Sequence, residues 1–333
     1  MEQENKECIT EEDGENSEEE EEEEEEMIPD FTNEFSKDML SQMLTYDIRP
    51  SPRVAKEIIN KAISIFSELP NIVEINNIKN ITIVGDTHGQ FHDVAEIFKT
   101  QGFPTDENPY IFNGDFVDRG KQGVEIILAL FAFKISNPNS IHLNRGNHEI
   151  EALNKSYGFM EECTEKYGYE IFYLIEKAFR SLPIAHVVNH SIFVVHGGLC
   201  RNQALTIPDL QKIDRFNDPD SKSPVYDLLW NDPMNGFGFR ASNRCDNKQA
   251  MFFGCDVTEE FLNANKLKLI VRSHQVQSSG YSTMQDGKCV TIFSAPNYMG
   301  DVGNKGAIIK YSFNDDGQIK SSSVIQFDSV QQW

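Results

Sequence analysis

The sequence lacks the features that assign a chain to a membrane or to the secretory pathway. No run approaches 18 consecutive apolar residues, so neither a transmembrane helix nor a membrane partner is predicted. The acidic N-terminus has no apolar stretch of the kind found in secretory signals. None of the six cysteines forms a Cys-x-x-Cys pair, and a chain of 333 residues needs no disulfides to fold. The sequence therefore predicts reduced thiols in the cytoplasm, the nucleus or both.

Basic residues are also scarce. The chain has 30 Lys and Arg against 53 Asp and Glu, and of the net charge of −23, −15 belongs to residues 1–26 and −8 to the rest. A mildly acidic body offers no broad basic surface, which argues against a nucleic-acid partner. No basic cluster marks a nuclear import signal, so the choice between cytoplasm and nucleus stays open.

Residues 1–26 form an acidic tail that ends in nine consecutive glutamates, Glu18 to Glu26. Like charges at this density repel one another and bury no apolar area, so we expect the tail to be disordered. A solvated tail is the favoured interpretation, and an arm for basic partners or an electrostatic regulator is the alternative. The sequence has no internal repeat and no sign of an obligate oligomer, so a monomer is expected.

The rest of the chain divides into a helical segment and an α/β domain. Residues 27–80 are predicted to form helices that pack on the domain that follows. Ser51 caps the second of these helices, Pro52 suits its first turn and Pro70 follows its end. From residue 81 to 333, short apolar strands alternate with glycine-containing loops and helical stretches, which favours a single α/β domain.

Polar side chains follow the predicted strands at the points where these end, which is where α/β sheets place their chemistry. Asp86 and His88 are two residues apart, so both face the same side of an extended chain. The other candidates at strand ends are Asp115, Asn147, His196 and His274. Carboxylate, amide and imidazole ligands suit Mn, Fe or Zn, and six are too many for one tetrahedral zinc site. The set therefore predicts two divalent metal ions that share a bridging carboxylate.

Any one of these residues alone would carry little weight, because a histidine at a strand end is usually structural. We interpret His92, His142, His186 and His190 in that way. The succession of three motifs, each after a predicted strand, is far more specific. The motifs are Gly85-Asp-Thr-His-Gly89, Gly114-Asp-Phe-Val-Asp-Arg-Gly120 and Gly146-Asn-His-Glu149.

Together with three further segments, these motifs resemble the phosphoprotein phosphatase family of metallophosphoesterases. The further segments are His196-Gly-Gly198, Arg272-Ser-His274 and Ser294-Ala-Pro-Asn-Tyr298. The resemblance covers residues 30–328 and is closest to the catalytic domain of the protein phosphatase 5 branch. It implies a four-layer α/β/β/α sandwich, with mixed sheets flanked by helices, and serine/threonine phosphatase activity on phosphoprotein substrates.

The resemblance also implies two metal sites. Asp86, His88 and Asp115 would hold the first ion. The ligands of the second would be Asp115, Asn147, His196 and His274. Asp115 would thus bridge the two ions, and a water activated by them would attack phosphorus. Mn²⁺ is the ion expected to work in vitro, with Fe or Zn as alternatives.

The remaining roles that the resemblance implies concern the substrate. His148 would act as general acid, and Asp118 would orient it and keep it charged. Arg119 would bind phosphate oxygens, and Tyr298 would contact the phosphate or its water. A second phosphate-binding arginine is expected shortly before a Phe-Gly pair. Extra residues separate the candidate, Arg244, from that pair, so Lys248 is the alternative.

The resemblance stops short of the tetratricopeptide repeats of protein phosphatase 5. Such repeats need about 34 residues each, and only the acidic residues 1–26 precede the predicted helices. Repeat-mediated autoinhibition and chaperone binding are therefore not expected. We expect a constitutively active enzyme or one controlled by its acidic tail.

Two other functions stay open at this point. A related metallophosphoesterase that acts on small molecules, such as a dinucleoside polyphosphatase, would share the metal motifs. The predicted N-terminal helices and the Ser294–Tyr298 segment favour the protein phosphatase instead. A catalytically inactive scaffold that binds phosphoproteins should have lost a metal ligand or His148, and the sequence retains all of them.

Overall fold

The computed structural model describes residues 26–242, 244 and 249–330. The acidic tail, apart from Glu26, and Lys248 lie outside these residues, so the predictions for them stay predictions. Within the described part of the chain, no helix combines the length and the apolar character needed to cross a membrane.

The described residues form ten α-helices and fourteen strands. The helices are α1 (Asn33–Tyr46), α2 (Pro52–Glu68), α3 (Phe91–Gln101), α4 (Gly123–Ser136), α5 (Glu151–Tyr157), α6 (Phe159–Tyr167), α7 (Tyr169–Ser181), α8 (Ile207–Leu210), α9 (Pro224–Trp230) and α10 (Cys255–Asn265). The strands are β1 (Ile72–Ile75), β2 (Asn80–Val84), β3 (Tyr110–Phe112), β4 (Ile141–Leu143), β5 (Ala185–Val188), β6 (Ile192–Val195), β7 (Asp232–Pro233), β8 (Phe239–Ala241), β9 (Met251–Phe253), β10 (Leu269–Arg272), β11 (Tyr281–Met284), β12 (Cys289–Ile292), β13 (Gly306–Phe313) and β14 (Ile319–Phe327).

Two large mixed sheets dominate the fold. One has six strands in the order β1-β5-β6-β10-β12-β11, and the other has five in the order β14-β13-β2-β3-β4. Strands β2, β3 and β4 are parallel, as are β6, β10 and β12. A small third sheet, in the order β7-β9-β8, completes the described strands.

Three apolar clusters show how these sheets pack. Side chains such as Ile83, Ile111, Val194 and Val271 fill the space between the two large sheets. The outer face of the five-stranded sheet packs against α1 to α4, α6 and α7. The outer face of the six-stranded sheet packs against α8, α9 and α10. The layers therefore run helix, sheet, sheet, helix, as predicted.

The N-terminal helices begin and end as local sequence dictates. The Ser51 hydroxyl accepts a hydrogen bond from the Val54 amide at 3.2 Å, which confirms the predicted cap of α2. Between α1 and α2 the chain turns at Asp47, whose φ is 53°. Helix α2 then packs on α4 and α7. The division of the chain at residue 80 stays a prediction, and β1, which precedes it, pairs with β5 of the six-stranded sheet.

Candidate active site

The predicted ligands meet where the two large sheets adjoin. Asp86, Asp115 and Asn147 follow β2, β3 and β4, whose carboxyl ends share one edge because the strands are parallel. His196 and His274 follow the parallel strands β6 and β10 of the other sheet. All five residues are buried. Sequence positions that are far apart are thus brought together by the strand ends alone.

The backbone around this point is strained and tightly packed. His88, Asp115 and His274 have positive φ values of 42°, 53° and 69°, which residues other than glycine rarely adopt. A Cβ at Gly146 would lie 2.4 Å from both the amide nitrogen and Oδ1 of Asp115. Only glycine therefore allows this close approach of the β3 and β4 loops.

The first group of ligand atoms lies around His88. Its Nδ1 is 3.0 Å from the Val117 carbonyl oxygen and must donate to it, so Nε2 carries the lone pair. That Nε2 is 3.8 Å from Asp86 Oδ2 and 3.6 Å from Asp115 Oδ2. Burial, and then the charge of His148, lower the pKa of His88 to about 3, so the ring stays neutral and able to bind a metal.

The second group lies around His196. Its Nδ1 donates to the Asn113 carbonyl oxygen at 2.8 Å, so in the neutral imidazole the lone pair is on Nε2. This Nε2 is 2.9 Å from Asn147 Oδ1, 3.2 Å from His274 Nδ1 and 3.3 Å from Asp115 Oδ1. Four atoms that can each donate an electron pair to a metal therefore lie together, and a cation would relieve their mutual repulsion. The residues present fit a metal site.

The electrostatics of the site support this fit. Burial and then the neighbouring Asp115 raise the pKa of Asp86 to about 7. Burial alone would lower the pKa of His196, but Asp115 and Asp86 outweigh it and raise that pKa to about 9. Two carboxylates that draw a proton so strongly onto an imidazole also attract a metal ion in its place.

Asp115 lies at the centre of both groups. Its ligand atoms come within 4.8 Å of those of His88 and His148, and likewise of those of His196 and His274. Burial alone would raise the pKa of Asp115, but the imidazoles of His196, His148 and His88 outweigh it and hold the pKa below its usual value. The bridging position predicted for Asp115 is therefore sterically available.

His148 is close to the first group but is engaged elsewhere. Its Nδ1 is 2.7 Å from Asp118 Oδ2, and that same oxygen accepts from the Asn154 amide at 2.9 Å. The backbone amide of Phe159 donates to Asp118 Oδ1 at 3.0 Å. Burial opposes ionisation of His148, but Asp115 and Asp118 outweigh it and raise its pKa. The contact with Asp118 therefore favours the protonated form of His148. A protonated imidazole can donate a proton but cannot bind a metal.

A cavity of about 460 Å³ opens over these groups. Arg119 and Tyr298 line one side of it, and the Arg119 guanidinium partly opposes the rise in the pKa of Tyr298 that burial causes. Arg244 lines the cavity beside His274, although Asp232 holds it with a fork of 2.8 and 3.2 Å. The structure thus brings every predicted site residue together except Lys248, which lies outside the described residues.

Glu149, Asn154 and Asp232 are among the residues at the site that were not predicted from the sequence. Glu149 accepts hydrogen bonds from the amides of Asp115, Phe116 and Gly146, each at 2.8 Å, and so shapes both ligand loops. The position of Glu149 at the end of the third motif was the sequence signal that could have indicated this role. Asn154, which bonds to Asp118, and Asp232, which bonds to Arg244, had no such signal because both come from segments outside the motifs.

Comparisons with known proteins place this geometry in context. The chain matches the calcineurin-like phosphoesterase family over residues 79–278. It is 47% identical over 253 residues to serine/threonine-protein phosphatase T of Trypanosoma brucei brucei, covering 75% of this chain and 53% of that protein. It is 43% identical over 265 residues to serine/threonine-protein phosphatase 5 of Homo sapiens, covering 79% and 52%. The chain spans about half the length of the curated relatives it matches.

A solved structure is similar over most of its length. It is described as a protein serine/threonine phosphatase from Saccharomyces cerevisiae with similarity to human phosphatase PP5. The TM-score is 0.83 at 36% identity, and the match covers 89% of this chain and 97% of that chain.

Proposed function

Because the chain belongs to the calcineurin-like phosphoesterase family, we propose that it is a serine/threonine phosphoprotein phosphatase that hydrolyses phosphoserine and phosphothreonine. One observation carries the proposal. A cluster of metal-ligand atoms around Asp115 lies in the same cavity as the His148–Asp118 pair and two guanidinium groups. The printed names of the relatives, which are serine/threonine-protein phosphatases, support the choice of substrate.

The ligand atoms suit two divalent ions. We assign Asp86, His88 and Asp115 to the first. The second takes Asp115, Asn147, His196 and His274. When bound, Mn²⁺, Fe or Zn would activate a water for attack on phosphorus and offset the charge of the phosphate.

The other side chains handle the proton and the substrate. His148 donates its proton to the departing serine or threonine oxygen, while Asp118 holds the imidazole in place and favours its charged form. Arg119 and Arg244 offer N–H donors to the phosphate oxygens. Tyr298, beside Arg119, completes the phosphate-binding side of the cavity.

The decisive experiment is an assay of phosphate release by the full chain with added Mn²⁺. A phosphothreonine peptide and a dinucleoside tetraphosphate are compared, and His148→Asn is the control. Release from the peptide that falls about 10²- to 10⁴-fold in the variant supports the proposal. Preference for the dinucleotide would identify a small-molecule phosphoesterase. Release from neither substrate, with metal bound, would identify a phosphoprotein-binding scaffold.

Partners and location follow as further parts of the proposal. Phosphoproteins are the substrates, basic proteins are candidate partners of the acidic tail, and the chain acts as a monomer. Among the described residues, Cys163, Cys200, Cys255 and Cys289 are free thiols, which supports a reducing compartment, the cytoplasm or the nucleus. Deleting residues 1–26 tests the tail: an unchanged rate and salt dependence would exclude an inhibitory role.

A further inference from the structure

Arg119 is held in the cavity in an uncommon way. Its Cζ lies 4.0 Å from the centre of the Tyr157 ring. Among the described residues, Arg119 forms no ion pair with a carboxylate, and its buried Nε has no hydrogen-bond partner. Other arginines near the site pair with acids, as Arg145 does with Asp218 at 2.6 Å. An aromatic face attracts a guanidinium without neutralising its charge.

The Tyr157 side chain lies beside Arg119 and near His148. It ends α5 and lines the cavity, and its side chain is partly exposed. The ring centre is also 5.4 Å from that of His148, which lines the same cavity. Tyr157 therefore lies between the proposed phosphate-binding arginine and the proposed general acid.

The loop that carries Arg119 does not need the ring to hold its shape. The Arg119 amide donates to the Tyr157 carbonyl oxygen at 3.2 Å, a bond that any residue at 157 would accept. The Phe159 amide and the Asn154 side chain both donate to Asp118, the preceding residue. With the backbone fixed independently, the aromatic ring contributes mainly the direction of the guanidinium.

We infer that Tyr157 is a positioning residue that aligns Arg119 for phosphate binding. The Tyr157 ring covers one face of the guanidinium, and Tyr298 lines the cavity beside it. The remaining N–H donors lie in the guanidinium plane and stay available for the oxygens of a phosphate monoester or of orthophosphate. The inference rests on the proposed function, since it assigns to Arg119 the phosphate of the same substrate.

The test is a double-mutant cycle in the full chain with Mn²⁺, using Tyr157→Leu, Arg119→Ala and the double variant. Orthophosphate is the probe, and its affinity is measured by calorimetry and by inhibition of phosphopeptide hydrolysis. Tyr157→Leu should weaken orthophosphate binding about 3- to 10-fold and raise KM similarly, while kcat changes less than about twofold. Tyr157→Phe, which keeps the ring, should bind as the wild type does. In the Arg119→Ala background, Tyr157→Leu should have no further effect.

Several outcomes would overturn the inference. They are an equal loss with and without Arg119, unchanged orthophosphate affinity in Tyr157→Leu, or a loss in Tyr157→Phe as large as in Tyr157→Leu. Tyr169→Leu, at an exposed tyrosine that begins α7, is the matched control and should leave affinity unchanged. If the wild type hydrolyses no phosphopeptide, the proposed function fails, yet calorimetry with orthophosphate still decides the role of Tyr157.

Discussion

The two arginines that line the cavity are held by opposite means. Arg119 lies over the Tyr157 ring and forms no ion pair among the described residues. Arg244 forms a two-pronged ion pair with Asp232, a carboxylate that also binds the buried Arg272 at 2.8 Å. One wall of the cavity therefore presents a nearly full positive charge, and the other presents a charge that a carboxylate partly offsets.

The difference indicates that the two arginines contribute unequally to phosphate binding. A guanidinium whose charge is not offset attracts a dianionic phosphate more strongly than one already paired with a carboxylate. Asp232 also holds the Arg244 side chain in the cavity. The extra residues between Arg244 and Phe253-Gly254 therefore do not remove the arginine from the site. We expect Arg119 to supply most of the phosphate affinity and Arg244 to add to it.

The largest effect on activity should come from Asp115, which lies in both groups of candidate metal ligands beneath the two arginines. Asp115→Asn removes the carboxylate that lies in both ligand groups, so both ions should bind poorly whichever arginine holds the substrate. Activity should fall by at least about a thousandfold, because several kcal/mol of transition-state stabilisation depend on the metals. Metal content by mass spectrometry and phosphate release measure the two effects. Wild-type metal content and rate in the variant would contradict the bridging assignment.

The next largest effect should be on stability and should come from Asp232. Asp232→Asn leaves the guanidinium of Arg272 buried without its counter-charge, which we expect to lower the free energy of unfolding by about 3–5 kcal/mol. Denaturation in urea measures the change. Asp47→Asn, which removes an exposed partner of Arg49, is the control and should change stability little. Equal effects of the two substitutions would show that Asp232 has no special role.

Truncating each arginine measures how much it contributes to substrate binding. Arg119→Ala should raise KM for a phosphothreonine peptide about 10- to 100-fold, the loss expected for hydrogen bonds to a charged group. Arg244→Ala should raise it only about 3- to 10-fold, because Asp232 already engages that guanidinium. Steady-state kinetics on both variants measure the ranking. A larger increase in KM in Arg244→Ala than in Arg119→Ala would show that Arg244 supplies more of the phosphate affinity.

The smallest effect concerns a carboxyl group that no arginine closely neutralises. Burial and then Asp218 raise the pKa of Glu176 to about 8, although Arg180, with its nearest nitrogen 3.9 Å away, opposes the rise. The folded state therefore binds a proton more tightly than the unfolded state, and stability should fall as the pH rises from about 5 to about 8. Glu176→Gln should weaken this dependence, since Asp86 with its own raised pKa still contributes to it, and should be more stable than the wild type at pH 8.5 by roughly 1–3 kcal/mol.

Urea denaturation across this pH range provides the measurement for Glu176. Glu170→Gln, on the same helix but at an exposed position, is the matched control. It should keep the pH dependence of the wild type. The same loss of stability with pH in Glu176→Gln and in the wild type would show that Glu176 does not cause it.

The sequence was enough to predict the fold, and the residues predicted as ligands lie close together in the structure. The four-layer arrangement and the resemblance to the phosphoprotein phosphatases are confirmed. Strand β3, Tyr110–Phe112, is the short apolar run between Pro109 and the Asn113-Gly114 loop, which is the kind of strand that the alternation of residues 81–333 predicts. The parallel strands that end in motifs then bring their polar residues to one edge. The roles of those residues stay predictions.

Contacts between distant segments account for most of what was not predicted. Asn154 and Asp118 are 36 residues apart, and Asp232 and Arg272 are 40 apart, so no local pattern links either pair. Strands β1 and β5 were missed for the same reason, since each is short and is defined by its partner rather than by alternation. The Tyr157 ring beneath Arg119 follows from the packing of α5 against a separate loop.

The candidate ligand residues at the strand ends come from both large sheets, and this has a consequence for the lifetime of the protein. Ions held among them would tie two halves of the molecule together, so unfolding would have to release them. The stability of the whole domain would then rise with the concentration of free metal. When metal is scarce, the protein would be lost to proteolysis as well as inactivated, and its abundance would follow the metal supply.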